Sequence, residues 1–335
     1  MGIGWIWAKM SALACLVLLS SCSTITEDLP LCTSQLTFYY DYNMKYVDAF
    51  PVAVKKLDVY VFDSKDRFVT VFSEERNAFG ENFQIPLSLP EGRYHFITWA
   101  GRYERSYDFQ KDLIPGYSTS DDLWVRMRRG IDGSQNTELD ALWHGDSWVE
   151  ISPERNQTVS IGLTKDTNRF RIVVQGPNGW DGEDLQFCIT DQNGFLDSNN
   201  DLLPDSQVFY RPYFQQLAEV DGEMNALADS ESDNASHRTK LKAAVAELNT
   251  LRLTENSHPR LQISYPDGTS IVNIDLIQYL LLTKMEGHDM GAQEYMDRQD
   301  EFALVFFLAQ DASGKYVVMK IQVNGWTLRP QNGDF

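Results

Sequence analysis

The sequence has little of what most catalytic and binding chemistries require. Its four cysteines, Cys15, Cys22, Cys32 and Cys188, form no Cys-x-x-Cys pair and no Cys/His cluster, which removes the usual zinc frameworks. The five histidines, His95, His144, His237, His258 and His288, fall in no ligand spacing. His95 alternates within a strand pattern and reads as a residue at the edge of a core. No Gly-x-Ser-x-Gly elbow, His-Glu-x-x-His pair, phosphate loop or dinucleotide fingerprint occurs. Positive charge is scarce as well: 29 Lys and Arg stand against 48 Asp and Glu, a formal net charge of −19. The densest basic group, Arg126, Arg128 and Arg129, is too small for the basic stripe of a nucleic-acid binder. The expectation is a non-enzymatic protein with no cofactor, no metal and no nucleic-acid partner, its acidity serving solubility.

Long apolar runs are missing too. The one stretch of that kind, Ser11 to Ser20, is too short to span a hydrocarbon core, which takes about 20 residues. It follows Lys9 and ends in small residues, as the apolar part of a secretory leader does. The tetrapeptide Leu19-Ser20-Ser21-Cys22 resembles a bacterial lipobox, which makes Cys22 the expected acylated first residue after removal of residues 1–21. Residues 22–34 are polar and contain proline, and they read as a tether. An exported protein can also pair its remaining cysteines, Cys32 and Cys188, or leave them as thiols; spacing does not decide.

What is abundant is period-two patterning. QLTFYYDYN puts Leu36, Phe38, Tyr40 and Tyr42 on one face; KLDVYVFD puts Leu57, Val59 and Val61 opposite Tyr60 and Phe62. NFQIPLSLPEG, with Phe83, Ile85, Leu87 and Leu89, and RYHFITWAG, with Tyr94, Phe96, Ile97 and Trp99, continue the theme. SWVEISPERNQTVSIGLT reads as a hairpin. Alternating apolar, β-branched and aromatic residues bounded by turn formers predict strands. A second series begins near Arg169 with RFRIVVQG (Phe170, Ile172, Val174), followed by DLQFCITDQNGFLD, where Asn193-Gly194 is a hairpin signal. HRTKLKAAVAELNTLRL carries Leu241, Val245, Leu248 and Leu251 at helical spacing, and SIVNIDLIQYLLLTKM carries Ile274, Ile277 and Leu281; both predict helices. EFALVFFLAQ fits a buried strand, and KYVVMKIQVNGWTL a last strand with Val317, Met319, Ile321 and Val323 on one face.

The chain of 335 residues exceeds the 250–300 that one core usually supports. The expected fold is mostly β: two tandem β-sandwiches, over 35–165 and 166–335, the second with short helical insertions. One larger β structure with a helical flank is the alternative. The acidic segment with Asp191, Asn193, Asp197, Asn199, Asp201 and Asp205 departs from the EF-hand spacing and reads as solvated turns. Most of the eight tryptophans lie inside strand patterns, Trp99 and Trp326 among them, and are expected in the core.

Several stretches in order carry a resemblance: DLPLC (28–32), KLDVYVFD (56–63), YHFITWAG (94–101), NTLRL (249–253), IDLIQYLL (274–281), AQEYMDRQDEFALVFFLA (292–309) and KIQVNGWTLRPQN (320–332). Together with the lipobox they resemble the fimbrial anchor, or fimbrillin-associated minor subunit, family of Bacteroides- and Porphyromonas-type bacteria. The resemblance implies two transthyretin-like sandwiches in a lipoprotein that holds a fimbria, with its stalk subunits, to the outer membrane. It implies assembly by addition of a strand to an open sheet edge. An anchor is expected to keep its first strand, Gln35–Asn43, with Leu36, Phe38 and Tyr40 inward. Lys55, Lys56 and Arg67 are the possible cleavage points, the first two within a strand pattern. The C-terminal stretch Tyr316–Phe335, with Val317, Met319, Ile321 and Val323, is either a donated strand or this chain's own last one. A surface adhesin for glycan or host protein, or a fimbrial tip subunit, is the competing expectation.

Overall fold

The computed structural model describes residues 34–152, 156–182, 184–222, 239–284 and 289–328. The fold is mostly β, two sandwiches with short helices at Phe50–Ala53 in the first half and at Leu276–Leu281 and Ala292–Arg298 in the second.

In the first sandwich, a three-stranded sheet places Ser34–Tyr39 between Gln157–Gly162 and Ile85–Leu87. It packs on a five-stranded sheet ordered Thr164–Lys165, Trp143–Ile151, Gly92–Ala100, Lys56–Asp63, Phe68–Glu75. Leu57, Val59, Val61 and Phe96 of the larger sheet are fully buried against Leu36 and Ile161 of the smaller. Tyr60, Phe62, Ile97 and Trp99 point the other way and are buried in a second, larger core. Both faces of this sheet are covered, which is why KLDVYVFD is nearly continuous in apolar residues. The cover on the second face is a three-stranded sheet of Tyr107–Phe109, Val125–Met127 and Phe195–Leu196.

The second sandwich packs a six-stranded sheet, ordered Phe214–Gly222, Thr239–Leu251, Thr167–Gln175, Glu301–Gln310, Tyr316–Val323, Trp326–Leu328, on a five-stranded sheet. The latter is ordered Ser270–Asp275, Arg260–Ser264, Gln186–Asp191, Val208–Tyr210, Ser134–Gln135. Strands cross between the halves: Ser134–Gln135 pairs with Val208–Tyr210, and Val125–Met127 with Phe195–Leu196.

Four sequence expectations need correction. The segment around Leu241, Val245, Leu248 and Leu251 is not a helix but the thirteen-residue strand Thr239–Leu251. Ala243, Ala244, Ala246 and Leu248 are all buried there, so no polar face interrupts the apolar run and the period-two signal is lost. SIVNIDLIQYLLLTKM divides into the strand Ser270–Asp275 and the helix Leu276–Leu281, whose first turn is capped by Asp275 through its carboxylate and the Gln278 amide. Trp143–Ile151 and Gln157–Gly162 are not a hairpin: the chain changes sheets between them. Likewise Asn193-Gly194 joins Gln186–Asp191 to Phe195–Leu196, strands of different sheets.

Candidate functional site: the first strand and its groove

Ser34–Tyr39 has extended backbone because Thr37, Phe38 and Tyr39 are β-branched or aromatic and its inward apolar residues alternate. Leu36, Phe38 and the following Tyr40 are 0%, 6% and 4% exposed. Their burial is worth roughly 1.5–3 kcal/mol each. Phe38 lies on Phe50 at 5.6 Å between ring centroids, and Tyr40 meets Trp143 edge-on at 6.0 Å. The groove is made by Val159 and Ile161 on one side and Ile85 and Leu87 on the other. The strand runs parallel to Gln157–Gly162 in unbroken register from Ser34↔Gln157 to Tyr39↔Gly162, and antiparallel to Ile85–Leu87 from Ser34↔Leu87. On its outer face Gln35 Nε2 donates to Thr158 Oγ1 at 3.0 Å, and the hydroxyls of Thr37 and Ser160 are 2.9 Å apart. The QTVSIG strand is the partner that sequence patterning missed, because alternation identifies a strand without naming its neighbour.

The strand ends earlier than the alternation through Tyr42 implies. Tyr40 N donates to Asp48 Oδ1 at 2.8 Å and its carbonyl accepts from Ala49 N at 2.9 Å, so the chain turns there. Tyr42 is turned out under the Arg298 guanidinium, 4.1 Å from the ring centroid, with Tyr46 at 4.7 Å. Arg298 Nη1 also donates to Asp41 O at 3.5 Å. Arg298 belongs to the helix Ala292–Arg298, so this loop rests on the second half of the molecule. Nothing in the pattern of residues 41–48 points to that contact.

Beneath the same end lies a buried polar joint. Arg252 grips Asp297 with two bonds of 2.9 Å and donates to Asn200 O at 2.9 Å. Asn200 Nδ2 donates to Asp166 Oδ1 at 2.7 Å. Burial pushes the Asp166 carboxyl up to about 7, against the pull of Arg252 and the Asn200 bond. His144 Nε2 lies 2.9 Å from Ser198 O, and burial lowers its pKa to about 4. These groups bond to one another and to backbone carbonyls, and so hold the local structure.

Of the remaining predicted residues, Ile321 and Val323 are buried, while Val317 and Met319 are 36% and 57% exposed. A bulge between Phe307 and Leu308 shifts the register past Met319, so Val318 replaces it in the core and one face no longer holds all four. Tyr316–Val323 pairs with Glu301–Gln310 and turns at Asn324-Gly325, both at positive φ, into Trp326–Leu328. The described part of the C-terminal stretch therefore belongs to this chain's own sheet; the Trp326 side chain lies outside the description. Trp99 is fully buried, as expected. Cys188 is half-buried on Gln186–Asp191; Cys32, with which the sequence left pairing open, lies like Cys22 outside the described residues. Arg67 is exposed in the turn before Phe68–Glu75, while Lys56 begins a paired strand. In the acidic segment, Asp197 Oδ1 accepts from the amides of Asn199 and Asp201, which makes it a turn.

Comparison with known proteins agrees with this architecture. A structure from Bacteroides thetaiotaomicron VPI-5482, described as putative polysaccharide binding proteins, is 32% identical over 90% of this chain and 99% of its own, with a TM-score of 0.75. A putative adhesin from Bacteroides ovatus is 27% identical over 93% and 99%, with a TM-score of 0.74. The fimbrial anchor protein Mfa2 from Porphyromonas gingivalis shares the fold at 18% identity, covering 89% and 98% with a TM-score of 0.65. Curated proteins include no match. The family model for fimbrillin-A associated anchor proteins Mfa1 and Mfa2 matches residues 29–332, which take in the whole described fold, and the chain belongs to that family.

Proposed function

We propose that this protein is a lipid-anchored base for a surface fimbria, held in the outer membrane through acylated Cys22. The single observation that carries the reading is the position of the first strand. It is the middle strand of its sheet, its Leu36 and Phe38 and the following Tyr40 are buried in the first core, and it is the first described strand after the lipobox cysteine and its tether. A subunit whose first strand stays seated keeps whatever is attached ahead of it. Segment 22–33, extended, reaches at most about 40 Å, so the folded body would stay close to the membrane. Acyl chains at about 0.8 kcal/mol per buried methylene make such an attachment durable. Stalk subunits are the expected partners, and addition of a strand to an open edge is the expected mode. Family membership supports a role in fimbrial assembly or anchoring.

The test is metabolic labelling with palmitate followed by fractionation, on the wild type and Cys22→Ala. The wild type should carry label and keep fimbriae with the cells; the variant should be unlabelled and shed them into the medium. A variant that still holds fimbriae on the cell sinks the reading. A second reading, a surface adhesin, draws on the relatives described as putative adhesins. Retention of fimbriae by Cys22→Ala together with binding on a glycan array would favour it.

A further inference from the structure

We infer that Ser34–Tyr39 carries tension applied through the tether, a clamp that meets it in shear. The inference rests on the anchoring reading for its biological use, and on topology for its physics. Tension enters from residue 33 at the Ser34 end. The opposite end of the strand faces the second half: Leu163 N, at the head of the segment leading there, donates to Tyr39 O at 2.9 Å, and Arg298 of the second half reaches Asp41, Tyr42 and Tyr46 just beyond the strand. The parallel partner, Gln157–Gly162, leaves its last residue at that same end and leads through Thr164–Lys165 into Thr167–Gln175 of the second half. Pulling the tether away from the second half therefore draws two parallel strands in opposite directions along their shared axis.

In that geometry the whole ladder is strained together, over six residue pairs in unbroken register. Parallel bonds are evenly spaced, so none is singled out to fail first. Sliding by one residue would also turn Leu36 and Phe38 out of the core. The side-chain bonds of Gln35 to Thr158 and of Thr37 to Ser160 cross the same seam and oppose the same slip. The antiparallel neighbour is loaded differently. Ser34 faces Leu87 at the open end of a three-residue pairing, and a force separating those two residues unzips it one pair at a time. One strand thus has a strong direction and a weak one, and the tether pulls along the strong one.

Single-molecule force spectroscopy on the chain from residue 22 onward tests this. One handle is fixed at residue 22. The second is inserted either at Ser313, in the exposed turn 311–315 of the second half, or at Glu91, an exposed residue just past Leu87. At equal loading rate the first arrangement should rupture at about twice the force of the second or more, since forced unfolding follows the barrier to opening. Thr37→Val combined with Ser160→Ala should lower the first force and leave the second unchanged. A first-arrangement force no higher than the second overturns the assignment. The measurement uses neither lipid nor fimbriae, so its failure leaves the anchoring test standing, and loss of acylation would not move the forces.

Discussion

Asp166 is a fully buried carboxylate whose Oδ2, like Asn200 Oδ1, has no hydrogen-bond partner among the described residues. Its folded pKa of about 7 lies above the ordinary 3.8. A carboxyl raised in this way favours the fold while protonated: the contribution is full below pH 3.8 and is lost as pH rises through 7. Asp166→Asn keeps an acceptor for Asn200 Nδ2, removes the buried charge and adds a donor. The urea midpoint of the variant should exceed that of the wild type at pH 8, by an amount corresponding to a few kcal/mol, and match it near pH 4. His144 acts with the opposite sign, its contribution present above pH 6.5 and lost as pH falls through 4. Gly101 is a second residue whose identity is set by space. At φ +74 a Cβ would lie 1.9 Å from the Ala141 carbonyl oxygen. Gly101→Ala should cost about 3 kcal/mol, read as a lowered thermal midpoint.

At the scale of elements, the groove and the first strand are separable in principle. A chain beginning at residue 41 should bind a synthetic peptide of residues 34–43 in calorimetric titration. Phe38→Ala in that peptide should weaken binding by about 3 kcal/mol, more than 100-fold. A peptide that binds equally well with Phe38 or alanine would mean that the groove does not read the strand. Alternation at Leu36 and Phe38, and the opposed sets Leu57/Val59/Val61 and Tyr60/Phe62, made these strands legible in sequence, because each face meets a different core. The legibility ended where burial is two-sided or the register breaks. Ala243–Ala246 lacks a polar face and mimicked a helix, and the bulge at Phe307/Leu308 moved Met319 out of the core. Pairing was the least legible property: the partner of Ser34–Tyr39 lies 123 residues on, and no local pattern encodes so distant a neighbour.

The two halves behave as parts of one larger body. A single core continues from Tyr60, Phe62, Ile97 and Trp99 to Phe170, Phe187 and Phe306, and sheets on both sides borrow strands across the middle. Scanning calorimetry should therefore give one transition with equal calorimetric and van't Hoff enthalpies. Asp297→Ala, which strands the largely buried Arg252 guanidinium, should lower that one transition by the equivalent of about 3–5 kcal/mol rather than split it. Two resolved transitions would show the halves to be thermodynamically independent.

The pairing of Ser34–Tyr39 with Gln157–Gly162 also sets a timetable. The first of the described strands cannot pair fully until its neighbour, far along the chain, has been made, and contacts of such long separation form slowly. Until then the newborn chain carries an apolar β-strand with one edge unpaired, the kind of segment that invites mispairing between molecules. Closure of the first core is thus a late event of folding, and once it is complete the first strand has no free edge left to offer another molecule.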